Sequence, residues 1–344
     1  MPLKPVLTLA HSPDADDVVM WWPLGDAERG RAPAIDTGKW LFQPVQIDIQ
    51  EANDRAINAA DLDITAISAH AYPHVQDRYR ITACGASMGE GYGPKLVCRA
   101  DDSRWIGEDS PQRRREHRER PAGSDSGSET RPESDAPSPD LDQTLRSLRL
   151  CGESLSIAVP GTKTTAFLVL SLMLGQRFTP KPMRFDLVAE AVRQGHADAG
   201  LLIHEAQLTF EDQGLRKLAD LGHWWNRRHA LPLPLGLNVV KRDLDTRFGP
   251  GSVDRLSGIL AASIRHAMEH RDQSRRFLLE HPDRKPEWED AALLDRYLRM
   301  YVSPMSLDMG TLGREALATL FREGAAAGLC PPAAAADGVP DVAG

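Results

Sequence analysis

The sequence has almost no cysteine. Its four cysteines, Cys84, Cys98, Cys151 and Cys330, lie far apart, and no Cys-x-x-Cys pair occurs. That spacing excludes a disulfide framework and a zinc knuckle, and leaves reduced thiols as the plain reading. Long apolar runs are missing too: none approaches the ~20 residues needed to span a bilayer. Residues 1–10 meet His11 and a cluster of aspartates at once. They lack the basic start and the apolar core of about 7–15 residues that mark a secretory signal. The expected location is the cytoplasm, with no membrane partner. Positive charge is not in excess: 41 Lys and Arg stand against 49 Asp and Glu, a formal net charge of -8. A mildly acidic chain is a poor partner for nucleic acid. P-loop, dinucleotide, Gly-x-Ser-x-Gly and zinc signatures are all absent, as is any internal repeat. Nothing in the sequence sets an oligomeric state.

What is present is an alternation of short strands and helices. The chain has 344 residues, 41% of them hydrophobic, enough for two domains or one large one. Strands are expected at 6–10, 45–49, 64–68 and 94–98, with helices starting near 18, 52 and 72. This β-α-β order predicts a parallel sheet with crossover helices. From 101 to about 141 the chain turns to Arg, Glu, Ser, Gly, Asp and Pro with almost no aliphatic residues. Such a segment cannot bury enough apolar surface to offset its ordering entropy. Its Arg113–Arg120 run carries interleaved glutamates and no aromatics, which argues against a nucleic-acid patch. Order is expected to resume with strands at 156–159, 185–187, 200–203 and 235–240, helices at 166–174 and 189–195, and four C-terminal helices.

One architecture fits this order: an α/β protein of two lobes around a central cleft, a periplasmic-binding-protein type II-like fold. The first lobe is expected from 1–100 and 235–330, the second from 150–234. Residues 101–147 would be a disordered insertion and 331–344 a flexible tail. Two crossings between lobes make a cleft that can close on a small ligand.

Three places could carry chemistry. The apolar run at 199–203 reads as a strand buried on both faces, and His204 follows it. Ligands of open α/β sheets bind beyond the carboxyl ends of the strands, and histidine titrates near neutral pH. Two readings of His204 stand at this level: a packed, hydrogen-bonded residue or a proton carrier. The loop 160–165 precedes a helix whose first N–H groups, with Thr164, Thr165 and Ala166, could hold a carboxylate or hydroxyl. Ordinary helix capping explains the same residues. Ser12 to Asp17 follows the first strand, and its Asp14, Asp16 and Asp17 could bind a metal or substrate hydroxyls or form a solvated cap; no histidine pair at helical spacing supports a metal, so Asp16 or Asp17 is expected as a polar, metal-free contact in the cleft. Ala66, Ile67 and Ser68 end the third strand on the same side; Ser68 could equally cap the next helix. His223, Trp224 and Trp225 read as packing at the lobe interface.

Six ordered strings make the chain resemble a known family. They run from His11 to Asp17, Gly89 to Pro94, Ala158 to Thr165, Gly200 to Glu205, Asp220 to Trp225 and Leu231 to Gly236, with a further match around Tyr301 to Asp308. Together they resemble the 1,4-dihydroxy-6-naphthoate synthases of the futalosine route to menaquinone, over nearly the whole chain except the insertion and tail. The resemblance implies a lyase that converts a small molecule, cyclic dehypoxanthinylfutalosine, to 1,4-dihydroxy-6-naphthoate and dihydroxyacetone without a cofactor or metal. It implies His204 as general base, with substrate contacts at Ala66, Ile67, Ser68, Thr165 and Ala166. Thr164, Ser12 and Asp17 join them by position. One departure is that many members carry Pro-Asn-Asp where this chain has Ala15, Asp16 and Asp17. The rival readings are a chorismate dehydratase of the same route, which is not expected to carry the histidine string, and a non-catalytic solute-binding protein.

Overall fold

The computed structural model describes residues 4–105, 155–175 and 177–334. Two sheets organise it. The first has strand order β2-β1-β3-β11-β4, with β5 also on β11. Its strands are β1 (Val6–His11), β2 (Leu41–Gln46), β3 (Ile64–Ser68), β4 (Tyr79–Ile81), β5 (Ser87–Gly89) and β11 (Leu233–Lys241). The second has order β10-β6-β9-β7-β8. It is built from β6 (Lys95–Arg99), β7 (Ser156–Val159), β8 (Thr179–Pro182), β9 (Ala199–Leu202) and β10 (Leu215–Asp220). Twelve helices complete the described residues: α1 (Ala15–Trp21), α2 (Ile49–Asn58), α3 (Thr165–Leu174), α4 (Val188–Arg193), α5 (Ala206–Thr209), α6 (Leu221–His229), α7 (Leu244–Phe248), α8 (Ser252–Glu269), α9 (Arg271–Leu279), α10 (Ala291–Tyr301), α11 (Pro304–Leu307) and α12 (Gly310–Ala326). None is long and apolar enough to cross a membrane.

Central strands carry the most buried residues. β3 is buried at all five positions because it lies between β1 and β11 with helices beyond. Its Ile64 and Ile67 are fully buried, and each contributes about 1.5–3 kcal/mol of apolar burial. β9 is buried throughout, between β6 and β7. Helix starts are fixed by side chains that accept from orphan N–H groups. Asp48 accepts from Gln50 N, Thr164 from Phe167 N, Asp220 from Gly222 and His223 N, and Asp290 from Ala292 and Leu293 N. One apolar core runs through both sheets, joining Ile67 and Leu237 of the first to Leu96 and Leu201 of the second.

Several expectations change. Neither sheet is wholly parallel: β11 runs antiparallel to β3, β4 and β5, and β6 runs antiparallel to β9 and β10. β6 was expected in the first lobe but belongs to the second sheet, so the first crossing falls at 90–94 rather than near Arg99. Its apolar centre, Leu96-Val97-Cys98, is fully buried there, and such a run suits any interior strand. The crossing is held by backbone contact. A Cβ on Gly222, in the first turn of α6, would stand 2.0 Å from the Tyr92 carbonyl. The expected strand at 185–187 is a 3-10 turn, and the strand precedes it as β8. The helix expected from 72 is a 3-10 helix over Ala69–His74. Residues 101–105, expected to lie in the insertion, are ordered. Arg104 bonds Asp102 and Asp198, and Trp105 packs in the core; the rest of the segment, and the tail from 335, lie outside the described residues. Trp225 is fully buried and donates to the Pro232 carbonyl at 3.1 Å, while His223 is exposed.

Candidate active site

The carboxyl ends of β1, β3, β7 and β9 converge on one cavity, whose non-atom space including its open mouth is about 770 Å³. Ser12, Asp17, Ala66, Ile67, Ser68, Thr164, Thr165, Ala166 and His204 all line it. Residues separated by up to 192 positions in the chain (204 − 12) thus share one wall system, because strand ends in the two sheets face each other.

His204 follows β9 with a left-handed backbone, φ 57°, which for a non-glycine residue costs on the order of 1–3 kcal/mol. The turn aims its ring at the first sheet. Nδ1 lies 2.6 Å from Oδ2 of Asp14, and Phe185 packs edge-on at 4.7 Å. Nε2 is buried and has no hydrogen-bond partner among the described residues. Burial works to lower the imidazole pKa, but the charge and hydrogen bond of Asp14, aided by Glu205, raise it to about 9 against the opposing charge of Lys285.

Asp14 stands at the N-terminal boundary of α1 yet makes no side-chain capping bond. Its carboxylate is taken up elsewhere: Ser12 Oγ donates at 2.6 Å, Lys285 Nζ at 2.7 Å, and His204 Nδ1 lies on the same oxygen as Ser12. Burial opposes its ionisation, but His204 and Lys285 more than reverse that and hold its pKa well below the usual carboxylate range. Lys285 also reaches Glu205 at 3.4 Å, and Trp288 Nε1 donates to the same carboxylate at 3.4 Å. Burial, then the nearby Asp14 charge, pushes Glu205 up to about 7. The group alternates acidic and basic side chains, Glu205–Lys285–Asp14–His204: Asp14 follows a strand of the first sheet, His204 and Glu205 follow one of the second, and Lys285 comes from a third segment.

The other two aspartates face different partners. Asp16 accepts from the Tyr297 hydroxyl at 3.1 Å and is pushed up to about 7 by burial and by Asp17 and Asp14. Asp17 accepts from Ser12 N at 2.9 Å, and burial is the main cause that raises it to about 6. Three carboxylates within four residues therefore do not converge on a point. Among the described residues no group of three or more His, Cys, Asp or Glu side chains could hold a metal ion.

The opposite wall is rich in donors. Thr165 and Ala166 occupy the first turn of α3, where backbone N–H groups have no intrahelical acceptor. The Thr165 hydroxyl donates to Leu235 O at 2.7 Å and accepts from His70 N at 3.2 Å, tying α3 to the first sheet. Thr164 is the cap of α3 and also lines the cavity. Ser68 does not cap the turn that follows it. Instead Asn53 clasps it, donating to Ser68 Oγ at 3.0 Å and accepting from Ser68 N at 2.8 Å.

A family model described as menaquinone biosynthesis matches residues 7–110 and 142–326. The chain belongs to the menaquinone biosynthesis family. Within this family, a 1,4-dihydroxy-6-naphthoate synthase of Thermus thermophilus is 32% identical over 326 residues, covering 95% of this chain and 96% of that protein. Another, of Streptomyces coelicolor, is 28% identical and covers 94% and 95%. A solved protein of Archaeoglobus fulgidus superposes with a TM-score of 0.70 at 31% identity, over 94% of this chain and 98% of that one. The alkanesulfonate-binding protein of Xanthomonas axonopodis shares the fold, with a TM-score of 0.59 at 13% identity over 96% and 95% of the two chains. The two-sheet α/β architecture is thus that of periplasmic binding proteins, carried here by a menaquinone-biosynthesis enzyme.

Sequence reasoning did not single out Asp14 as the partner of His204, nor Lys285. Asp14 could have been found by position, since it follows β1 just as His204 follows β9. Lys285 had no signal: it is one lysine in a polar stretch between helices.

Proposed function

We propose that this enzyme is a 1,4-dihydroxy-6-naphthoate synthase. It is a carbon–carbon lyase that takes cyclic dehypoxanthinylfutalosine to 1,4-dihydroxy-6-naphthoate and dihydroxyacetone, with His204 as general base. One observation carries the reading. His204 is bound to a buried carboxylate through Nδ1, while its Nε2 is unpartnered beside a cavity. Asp14 fixes the ring and the tautomer, so that the neutral imidazole presents its lone pair on Nε2. Removal of a substrate proton lets a carbon–carbon bond break and the new ring become aromatic. The imidazolium that forms is stabilised by Asp14 and returns a proton to the departing three-carbon fragment.

The substrate carboxylate is held by the N–H groups of Thr165 and Ala166, which face a ligand with the positive end of the α3 dipole. Ser68 accepts from Asn53, which leaves its own proton to donate. Thr164, Ala66 and Ile67 shape this end of the site, and Ser12 and Asp17 the other. The enzyme needs no cofactor in this scheme, since every step is a proton transfer or a bond cleavage.

The test is incubation of the purified protein with cyclic dehypoxanthinylfutalosine and chromatographic detection of the naphthoate. His204→Ala is expected to lower kcat at least about a hundredfold, the lower range for a general base, while the protein still folds, with a lower melting temperature at neutral pH because Asp14 loses its imidazolium partner. Near wild-type turnover in that variant would remove the histidine from the mechanism.

A further inference from the structure

Asn238 lies in β11, paired in register with Ala66 of β3, and lines the same cavity. The residue is 2% exposed. Its Nδ2 donates to the Gly85 carbonyl at 2.8 Å. A carbonyl can only accept, so this bond fixes the amide: nitrogen toward Gly85, Oδ1 away from it. Oδ1 is buried and has no hydrogen-bond partner among the described residues. Packed interiors rarely leave a buried acceptor unpaired, since it loses its water and gains nothing. The fold makes room for this amide. Gly85 has φ +77°, and a Cβ there would stand 2.3 Å from Asn238 Nδ2.

Unpaired acceptors select for donors. An ionised carboxylate offers none, and a hydroxyl offers one. The donors of the cavity sit elsewhere, at the start of α3, where Thr165 touches Leu235 of β11. Leu235 and Asn238 are three residues apart on that strand, about 10 Å. The two ends of the cavity therefore want opposite chemistry. We infer that Asn238 is a specificity-determining residue whose Oδ1 accepts a hydrogen bond from a ligand hydroxyl, orienting the hydroxyl-bearing end away from the carboxylate held at α3. This rests on the naphthoate-synthase reading of the cavity.

Two probes separate the ends: 1,4-dihydroxy-6-naphthoate and 2-naphthoate, which keeps the rings and carboxylate but lacks both hydroxyls. Each is titrated calorimetrically, with oxygen excluded, into the wild-type chain, Asn238→Leu and Asn238→Ser. The wild type is expected to prefer the dihydroxy compound about tenfold, the factor for one well-placed hydrogen bond. Both variants are expected to lose most of that preference while binding 2-naphthoate within about twofold of wild type. The readout is a ratio of affinities, so a variant that is partly unfolded still reports. An unchanged ratio in both variants overturns the assignment of Asn238 and leaves the cavity reading intact. A wild type with no preference overturns it equally. If the wild type binds neither probe, the naphthoate reading of the cavity fails, and this inference with it.

Discussion

Replacing Asp14 by Asn keeps the shape of the side chain and removes one charge. In the native site that charge sits 2.6 Å from His204 Nδ1 and 2.7 Å from Lys285 Nζ. Burial alone would take the imidazole below its ordinary 6.5, yet it stands at about 9, chiefly through Asp14. At 1.36 kcal/mol per pH unit this net rise is worth roughly 3 kcal/mol. Asp14 supplies more than that, because it also overcomes the burial cost. In Asp14→Asn the burial and the Lys285 charge remain, and only Glu205 opposes them, so the His204 pKa is expected to fall below 6.5. A general base works only when neutral. In the role proposed for His204, the wild-type kcat/KM should therefore climb with pH and level off above about 9, with about one molecule in ten neutral at pH 8. In Asp14→Asn the climb should move down by more than about two pH units, with a plateau lowered by about 10²–10⁴ because the base is weaker and unoriented. Naphthoate formation measured from pH 5 to 10.5 gives both curves. A variant whose climb stays near 9 would refute the pairing. A wild-type rate that falls through pH 9 would make the imidazolium an acid instead. The same pair sets a stability window. The raised His204 contributes stability fully below 6.5 and loses it as pH rises through about 9, while the depressed Asp14 contributes above 3.8. The melting temperature gap between wild type and variant should be widest between 3.8 and 6.5 and narrow as pH rises through 9, leaving the part that the Lys285 pairing contributes.

Asp16, raised to about 7 by burial and its neighbouring aspartates, prefers its proton in the folded state, so stability declines as pH rises from 3.8 through 7. Asp16→Asn imitates the neutral carboxyl and should raise the melting temperature by a few degrees at pH 8, with no gain below pH 4; a loss at pH 8 would contradict this. Lys285→Met leaves Asp14 and Glu205 without their shared cation. Urea unfolding at pH 7.5 should show a loss of about 2–4 kcal/mol, in line with breaking a buried ion pair, and an unchanged midpoint would show that the lysine is not compensating them. Gly222→Ala places a methyl group against the Tyr92 backbone, which cannot yield as a side chain can. A loss of about 1–3 kcal/mol is expected from denaturant unfolding, and full stability would mean that the crossing at 90–94 is looser than its contacts require.

The two-lobed α/β class and the strand ends that line the cavity were legible in the sequence; the pairing of the strands was less so. His204, the threonines at the start of α3 and the end of β3 could be read because each combines a strand end with a polar residue, and strand ends in α/β proteins face ligands. The strands β4, β5 and β10 gave no such signal. They are short or mixed in polarity, as in Leu215–Asp220 with Arg216 and Lys217 between its buried positions, and their burial depends on neighbours far away in the chain. β6 was visible as a strand but not as a member of the second sheet, since a run of three buried apolar residues fits either.

The sequence alone therefore determined the alternation of elements, the family and the residues at the strand ends, because those depend on local pattern and on ordered motifs. Tertiary structure alone decided the pairings. Asp14 and His204 are 190 residues apart (204 − 14), and Lys285 reaches both Asp14 and Glu205 from a third segment. Ion pairing and burial act through distances of a few ångströms, and no periodicity along the chain encodes which distant segments will close to that range. The charge state of His204 was set at that level.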